Sequence, residues 1–148
     1  MSAKVLIVED EFLIGLELEH ALEAHGYRVV GVVADYPGAI ALAAQRPDVA
    51  LIDINLRDGP TGPLIARELA RIAGASIVFV TANPRQVEGP VAGALGVVTK
   101  PAESALVAAV VDYAVAVREG GSGNLPEGLI PLELARRANG GGSESPAE

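Results

Sequence analysis

The sequence predicts an α/β protein, a parallel sheet with helices on both faces. Two observations carry that prediction. First, short apolar runs alternate with segments of helical spacing, five times over residues 4–118. Second, four of the runs end on a reactive polar residue. Residues 4–8 run into Glu9-Asp10-Glu11, 49–52 into Asp53, 77–80 into Thr81, and 97–99 into Lys100-Pro101. A short continuous apolar run bounded by turn signals reads as a strand buried on both faces. The carboxyl edge of such a sheet is where open α/β folds bind ligands.

The elements follow in order. Residues 4–8 form the first strand. From Phe12 to His25, Ile14, Leu18, Ala21 and Leu22 share one face of a helix, with Glu17, Glu19 and Glu23 off it. Gly26 is placed to end this helix in the left-handed conformation. Residues 28–34 are β-branched and short, a second strand. Asp35 is the expected N-cap of a small helix, with Pro37 in its first turn and Pro47 beyond its end. Residues 49–53 are the central strand. Thr61-Gly62-Pro63 opens a third helix reaching about Ile72, on the spacing of Leu64, Ile65, Glu68, Leu69 and Ile72, and Gly74 closes it. Residues 77–81 are the fourth strand. Residues 82–95 hold Pro84, Gly89, Pro90 and Gly93, which oppose a helix interior, so a turn or two of helix at most is expected there. Residues 96–99 make the fifth strand.

Residues 103–118 are a strong helix, apolar all round apart from Asp112 between Ser104 and Arg118. An outer helix on a sheet normally keeps a polar stripe, so a partner or homodimer surface is expected on it. The domain reading is 1–119 as one folded unit. Residues 120–148 form a flexible Gly/Ser-rich tail with an apolar segment at 125–138 that could cover the last helix in cis.

Composition narrows the function. With 148 residues one domain is expected, and only five are Phe or Tyr, with no Trp, so small aliphatics must fill the core. A net charge of −8 without a Lys/Arg cluster argues against a nucleic-acid face. The absence of cysteine removes disulfides, thiolate metal sites and thiol catalysis. No apolar run approaches a membrane span, and the start carries no long apolar signal segment. A cytoplasmic protein is expected.

Taken together, Glu9, Asp10, Asp53, Thr81 and Lys100 would converge at one sheet edge. Crowded carboxylates repel unless a cation sits among them, and an all-oxygen set suits Mg²⁺ or Mn²⁺. Asp53 is the natural nucleophile, since a carboxylate can accept a phosphoryl group as an acyl phosphate. Lys100 and the Thr81 hydroxyl would bind phosphoryl oxygens. Such transfer asks for positioning and charge stabilisation rather than covalent work. Read alone, each of these residues has a plainer role: a helix-start acid for Glu11, turn chemistry for Asp58-Gly59, a strand-ending β-former for Thr81. The Lys100-Pro101 bond is a candidate cis peptide. His20 and His25 read as helix-surface residues far from the acids.

In this order, Val8-Glu9-Asp10-Glu11, Leu51-Ile52-Asp53, Val80-Thr81-Ala82 and Thr99-Lys100-Pro101 resemble the receiver domain of two-component response regulators, from Lys4 to about Arg118. The resemblance implies a flavodoxin-like five-stranded sheet of order 2-1-3-4-5 with a weak or short fourth helix here. It implies Asp53 as the acceptor from a histidine kinase or phosphotransfer protein, with Thr81 and Lys100 as the phosphoryl-binding pair. It also implies Asp10, Asp53 and the Asn55 carbonyl as Mg²⁺ ligands, with Glu9 acting through water. Activity is then that of a switch rather than an enzyme, with self-phosphorylation from small donors, slow autodephosphorylation and output by protein–protein contact. Phe79-Val80-Thr81-Ala82-Asn83-Pro84 is similar to an atypical alphaproteobacterial Phe-x-Thr subgroup. Val97 stands where many receivers carry an aromatic ring that moves on activation. The competing readings are a non-phosphorylated interaction module on this fold and an aspartyl-phosphate phosphatase. The second is weakened because Asp53 lacks an acid two residues on.

Overall fold

The computed structural model describes residues 2–87, 91–121 and 123–135. Five strands form one parallel sheet in the order β2-β1-β3-β4-β5: β1 Lys4–Val8, β2 Arg28–Val33, β3 Val49–Ile52, β4 Ser76–Thr81 and β5 Ala94–Thr99. The predicted order is thus realised. Strands β1, β3 and β4 lie in the middle, and nearly all their residues are buried, which is why they read as unbroken apolar runs.

Helices α1 (Phe12–Ala24) and α4 (Ser104–Arg118) cover one face. There Leu18, Leu22, Val107, Val110 and Val111 pack on Val5, Ile7, Leu51 and Val78. Helices α2 (Tyr36–Leu42) and α3 (Gly62–Ala73) cover the other, with Ile65 and Leu69 against Leu6, Ile52 and Phe79. Asp35 caps α2 as expected, its Oδ1 accepting the Gly38 N–H at 3.0 Å. The small helix begins at Tyr36, directly after its cap and with Pro37 in its first turn; a 3₁₀ turn, Ala43–Gln45, finishes it. Gly74 closes α3 at φ 67°, the left-handed conformation that glycine adopts without strain.

Between β4 and β5 the described residues carry one 3₁₀ turn, Pro84–Gln86, in place of a fourth α-helix. The loop still feeds the core, because Val87 and Val91 are buried on the α2/α3 side. Strand β5 starts two residues earlier than predicted. Its first half crosses an irregularity opposite Ile77/Val78, which hides the strand signal around Gly96.

Of the tail, residues 120–121 and 123–135 are described; residues 136–148, with the end of the predicted apolar segment at 136–138, lie outside the described residues. Ile130 pairs antiparallel with Val97 of β5, and 132–135 are helical. Leu129 is buried in the α1/α4-side core, while Ala135, with Leu132 packed beside it, joins the α2/α3-side core. The segment therefore passes over the open edge of β5 and contacts both layers.

Candidate functional site

Backbone pairing brings the acids together. Glu9 leaves β1 with its N–H on the Val33 carbonyl at 2.8 Å, and Asp53 leaves β3 with its N–H on the Val8 carbonyl at 3.0 Å. The two residues thus sit on adjacent strands at the carboxyl edge. Neighbouring glycines allow close approach. A Cβ on Gly62, at the start of α3, would lie 2.2 Å from the Asp53 carbonyl oxygen and 2.6 Å from the Ile54 Cα. Gly15 of α1 lets the helix press on Val32 and the Glu9 stem.

Glu9, Asp10 and Asp53 offer carboxylate oxygens that all lie within 4.8 Å of one another. Glu9 and Asp53 are buried and Asp10 is exposed. Lys100 leaves β5 and reaches into this cluster. Its Nζ is 2.7 Å from Glu9 Oε1 and 2.7 Å from Asp53 Oδ2, with Glu11 Oε2 at 3.9 Å. The Glu11 N–H adds a bond to Glu9 Oε2 at 3.1 Å. Burial pushes the Glu9 carboxyl above its ordinary range, and the bonds from Lys100 and the Glu11 N–H only partly offset it. For Lys100, burial works against the charged form, but the bonds to Asp53 and Glu9 outweigh it and hold the ammonium protonated. Three carboxylates against one ammonium leave two formal negative charges. Oxygen-only donors with surplus negative charge fit a hard divalent cation.

Thr81 is fully buried at the end of β4. Its carbonyl accepts the Lys100 N–H at 2.9 Å, and its hydroxyl accepts the Asn83 N–H at 3.1 Å. The Lys100-Pro101 peptide is cis. Asn55 lies in the loop after Asp53, and its side-chain amide donates to Gln86 Oε1 at 2.7 Å. That contact ties the β3–α3 loop to the 3₁₀ turn after β4. Sequence reasoning missed Gln86, because a lone glutamine in a Pro/Gly-rich loop carries no spacing signal. Glu11 fills the N-cap position of α1 without a side-chain cap bond. Asp58 accepts from the Thr61 hydroxyl and the Tyr36 N–H, which holds its carboxyl below the usual range and makes it part of a turn. His25 is at the far edge of the sheet, 3.1 Å from Asp112.

Beside the acids, Glu11, Ile14, Leu18, Val80, Ala82, Lys100 and Pro101 line a largely apolar groove of about 430 Å³. Phe12 and Leu13, at the start of α1, are 72% and 76% exposed. Among the described residues no helix is long and apolar enough to cross a membrane.

Comparison with known proteins agrees with this geometry. Residues 5–112 match the response regulator receiver domain. The phyllosphere-induced regulator PhyR of Methylorubrum extorquens is 34% identical over 118 residues, which cover 78% of this chain and 44% of that protein. The aerobic respiration control protein ArcA of Escherichia coli is 34% identical over 100 residues, covering 66% of this chain and 42% of that one. The chain thus spans about half the length of the curated relatives it matches. Among solved structures, the receiver domain of PhyR from Erythrobacter litoralis superposes with a TM-score of 0.68 at 28% identity, over 77% of this chain and 90% of that one. PhyR from Brucella abortus gives 0.70 at 30% identity, over 81% of this chain and 50% of that one. The likeness to PhyR receivers accords with the Phe-x-Thr pattern at the end of β4.

Proposed function

Because this chain belongs to the response regulator receiver domain family, we propose that it is a phosphorylation-dependent switch whose acceptor is Asp53. One observation carries the reading. Lys100 bridges Glu9 and Asp53 at 2.7 Å each, inside a three-carboxylate cluster at the carboxyl edge of the sheet. Such an arrangement holds a carboxylate ready and keeps a cation beside the place where new negative charge will arrive.

Asp10 and Asp53, with the main-chain carbonyl of Asn55 and with Glu9 acting through water, would hold Mg²⁺ or Mn²⁺. When bound, that ion neutralises charge on the incoming phosphoryl oxygens. The donor is a phosphohistidine of a histidine kinase or phosphotransfer protein. An Asp53 carboxylate oxygen forms the new bond to phosphorus, the phosphorus–nitrogen bond breaks, and the imidazole leaves with the electron pair. Lys100 exchanges part of its carboxylate contact for a phosphoryl oxygen. The Thr81 hydroxyl gives up the Asn83 N–H and donates to another phosphoryl oxygen. The exposed Phe12 and Leu13, with the apolar groove of Ile14, Leu18 and Pro101, support docking of a helical donor beside the site. Output follows by protein–protein contact as the loop after β4 changes its population. Small donors such as acetyl phosphate should serve as well, with slow loss of the phosphoryl group to water.

The test is incubation with acetyl phosphate and Mg²⁺, followed by intact-mass measurement. The wild type is expected to gain one phosphoryl group and Asp53→Asn none. Equal labelling of both, or none of the wild type, refutes the reading.

A further inference from the structure

Strand β5 is the open edge of the sheet, and the tail segment covers it by a contact one residue wide. Val97 donates to the Ile130 carbonyl at 2.8 Å and accepts from the Ile130 N–H at 2.9 Å. On both sides the segment leaves strand geometry at once. Pro131 has no N–H to continue the ladder and opens the helical residues 132–135, with the Ala135 N–H on its carbonyl at 3.0 Å. On the other side the Leu129 N–H turns back to the Pro126 carbonyl at 3.1 Å, and Gly128 has φ 104°, outside the strand region. The β5 ladder continues to Thr99, which is exposed. Lying two residues beyond Val97, Thr99 presents its main-chain groups on the same edge.

We propose that residues 125–135 are a displaceable strap, and that the β5 edge beneath it is a docking surface for an extended apolar segment of a different protein, which adds antiparallel to β5. The strap itself shows the chemistry that the seat accepts: a main-chain pair at Val97 flanked by an apolar side chain, Leu129, buried among the residues of the α1/α4 face. A continuous strand would pair at Thr99 as well as Val97, so it outdoes the strap in hydrogen bonds. The strap approaches closely: a Cβ on Gly128 would come within 2.8 Å of Leu106 Cδ2, and one on Gly96 within 2.5 Å of the Ile130 carbonyl oxygen. An extended segment brings its main chain that near to β5, whereas a helix, whose side chains surround its backbone, does not.

The probe is a fluorescein-labelled peptide copying residues 125–135 with valine at the position of Pro131 and glycine kept at the position of Gly128, where a Cβ would meet Leu106, read by anisotropy on the full chain. Ile130→Pro removes the strap's N–H and should bind the probe about tenfold more tightly than wild type. Adding Gly96→Ala should abolish that gain, because the new methyl meets the approaching carbonyl. Equal affinity for wild type and Ile130→Pro overturns the proposal, as does a gain that survives Gly96→Ala. Dimerisation of Ile130→Pro without probe, seen by size exclusion, reassigns the edge to a second copy and overturns it too. In the wild type, amide exchange gives an independent reading. The Val97 N–H, held by the strap, should exchange at least about a hundredfold faster than the Val98 N–H inside the sheet, and equal protection overturns the idea.

Discussion

Replacing Lys100 by methionine keeps the length of the side chain and removes its charge. Glu9 and Asp53 then face each other, with Asp10, without the ammonium between them. The relevant side chains are well shielded: 13% exposed for Lys100, 3% for Glu9 and 10% for Asp53. Removing one partner of a buried pair destabilises by about 3–5 kcal/mol; the exposed Asp10 side of this cluster admits water, so about 2–3 kcal/mol is the working figure. With a urea dependence of about 1.5 kcal/mol per molar, the midpoint falls by about 1.5 M at about pH 8. The sign with pH follows from Glu9. Its folded-state pKa is already raised by burial, and losing Lys100 raises it further. A carboxyl raised above its unfolded value favours the folded state only below that value, and loses the contribution as pH rises through the folded one. The deficit of Lys100→Met should therefore be full near neutrality and shrink as pH falls toward about 4.5. Saturating Mg²⁺ should restore more stability to the variant than it adds to the wild type, where Lys100 competes for the same oxygens. The assay is urea unfolding followed by circular dichroism at two pH values, with and without Mg²⁺. A variant within about 0.5 kcal/mol of wild type at about pH 8, or one indifferent to Mg²⁺, refutes the reasoning.

Gly62→Ala places a methyl 2.2 Å from the Asp53 carbonyl oxygen, so about 3 kcal/mol of stability should be lost. Phosphoryl labelling should fall about a hundredfold even where the fold persists, because Asp53 moves; unchanged labelling rates would contradict this. Gln86→Ala breaks the tie to Asn55, and amide exchange over residues 83–87 should quicken about fivefold with global stability unchanged. Tyr27→Phe removes the hydrogen bond to Asp112 at the opposite edge, with an expected loss of about 1 kcal/mol near neutrality. Burial first and then Asp112 push the Tyr27 phenol well above its ordinary value. Its contribution is therefore complete below about pH 10 and disappears as pH rises through the folded value. Ultraviolet titration should show a late tyrosine ionisation, and Tyr27→Phe should delete it.

How much of this was legible in the sequence depended on how local the cause was. Central strands announce themselves because both faces are buried, and β1, β3 and β4 fell within a residue or so of expectation. Glu9, Asp53, Thr81 and Lys100 could be grouped because each ends a short apolar run, so topology alone brings them to one edge. Asp35 and Gly74 were readable because a cap and a left-handed residue act within three or four positions. The pairing of Ile130 with Val97 was not readable, since a single antiparallel bridge 33 residues apart in the chain leaves no periodicity. For the same reason the Asn55–Gln86 contact and the meeting of Asp112 with His25 and Tyr27 emerged only from the assembled fold. The all-apolar last helix acquires part of its explanation too. Leu129 joins its core, and Gly128 sits against Leu106.

The far edge of the sheet has a mechanical consequence. Asp112 holds both His25 and Tyr27, and Arg118 bonds the Gly74 carbonyl at 2.7 Å and lies 3.6 Å from Asp48. The carboxyl-terminal half of α4 is therefore pinned to two loops and the end of α1. Its other end starts four residues after Lys100. From Ser104 to Asp112 the helix is about 12 Å long, at 1.5 Å of rise per residue. A displacement of about 1 Å at Ser104 is thus a tilt of only about 5° about the pinned end. So small an angle leaves the packing of Val110, Val111 and Ala114 in place. Any tilt of α4 about that end would therefore move Ser104 most, on the side of the molecule that carries the acids.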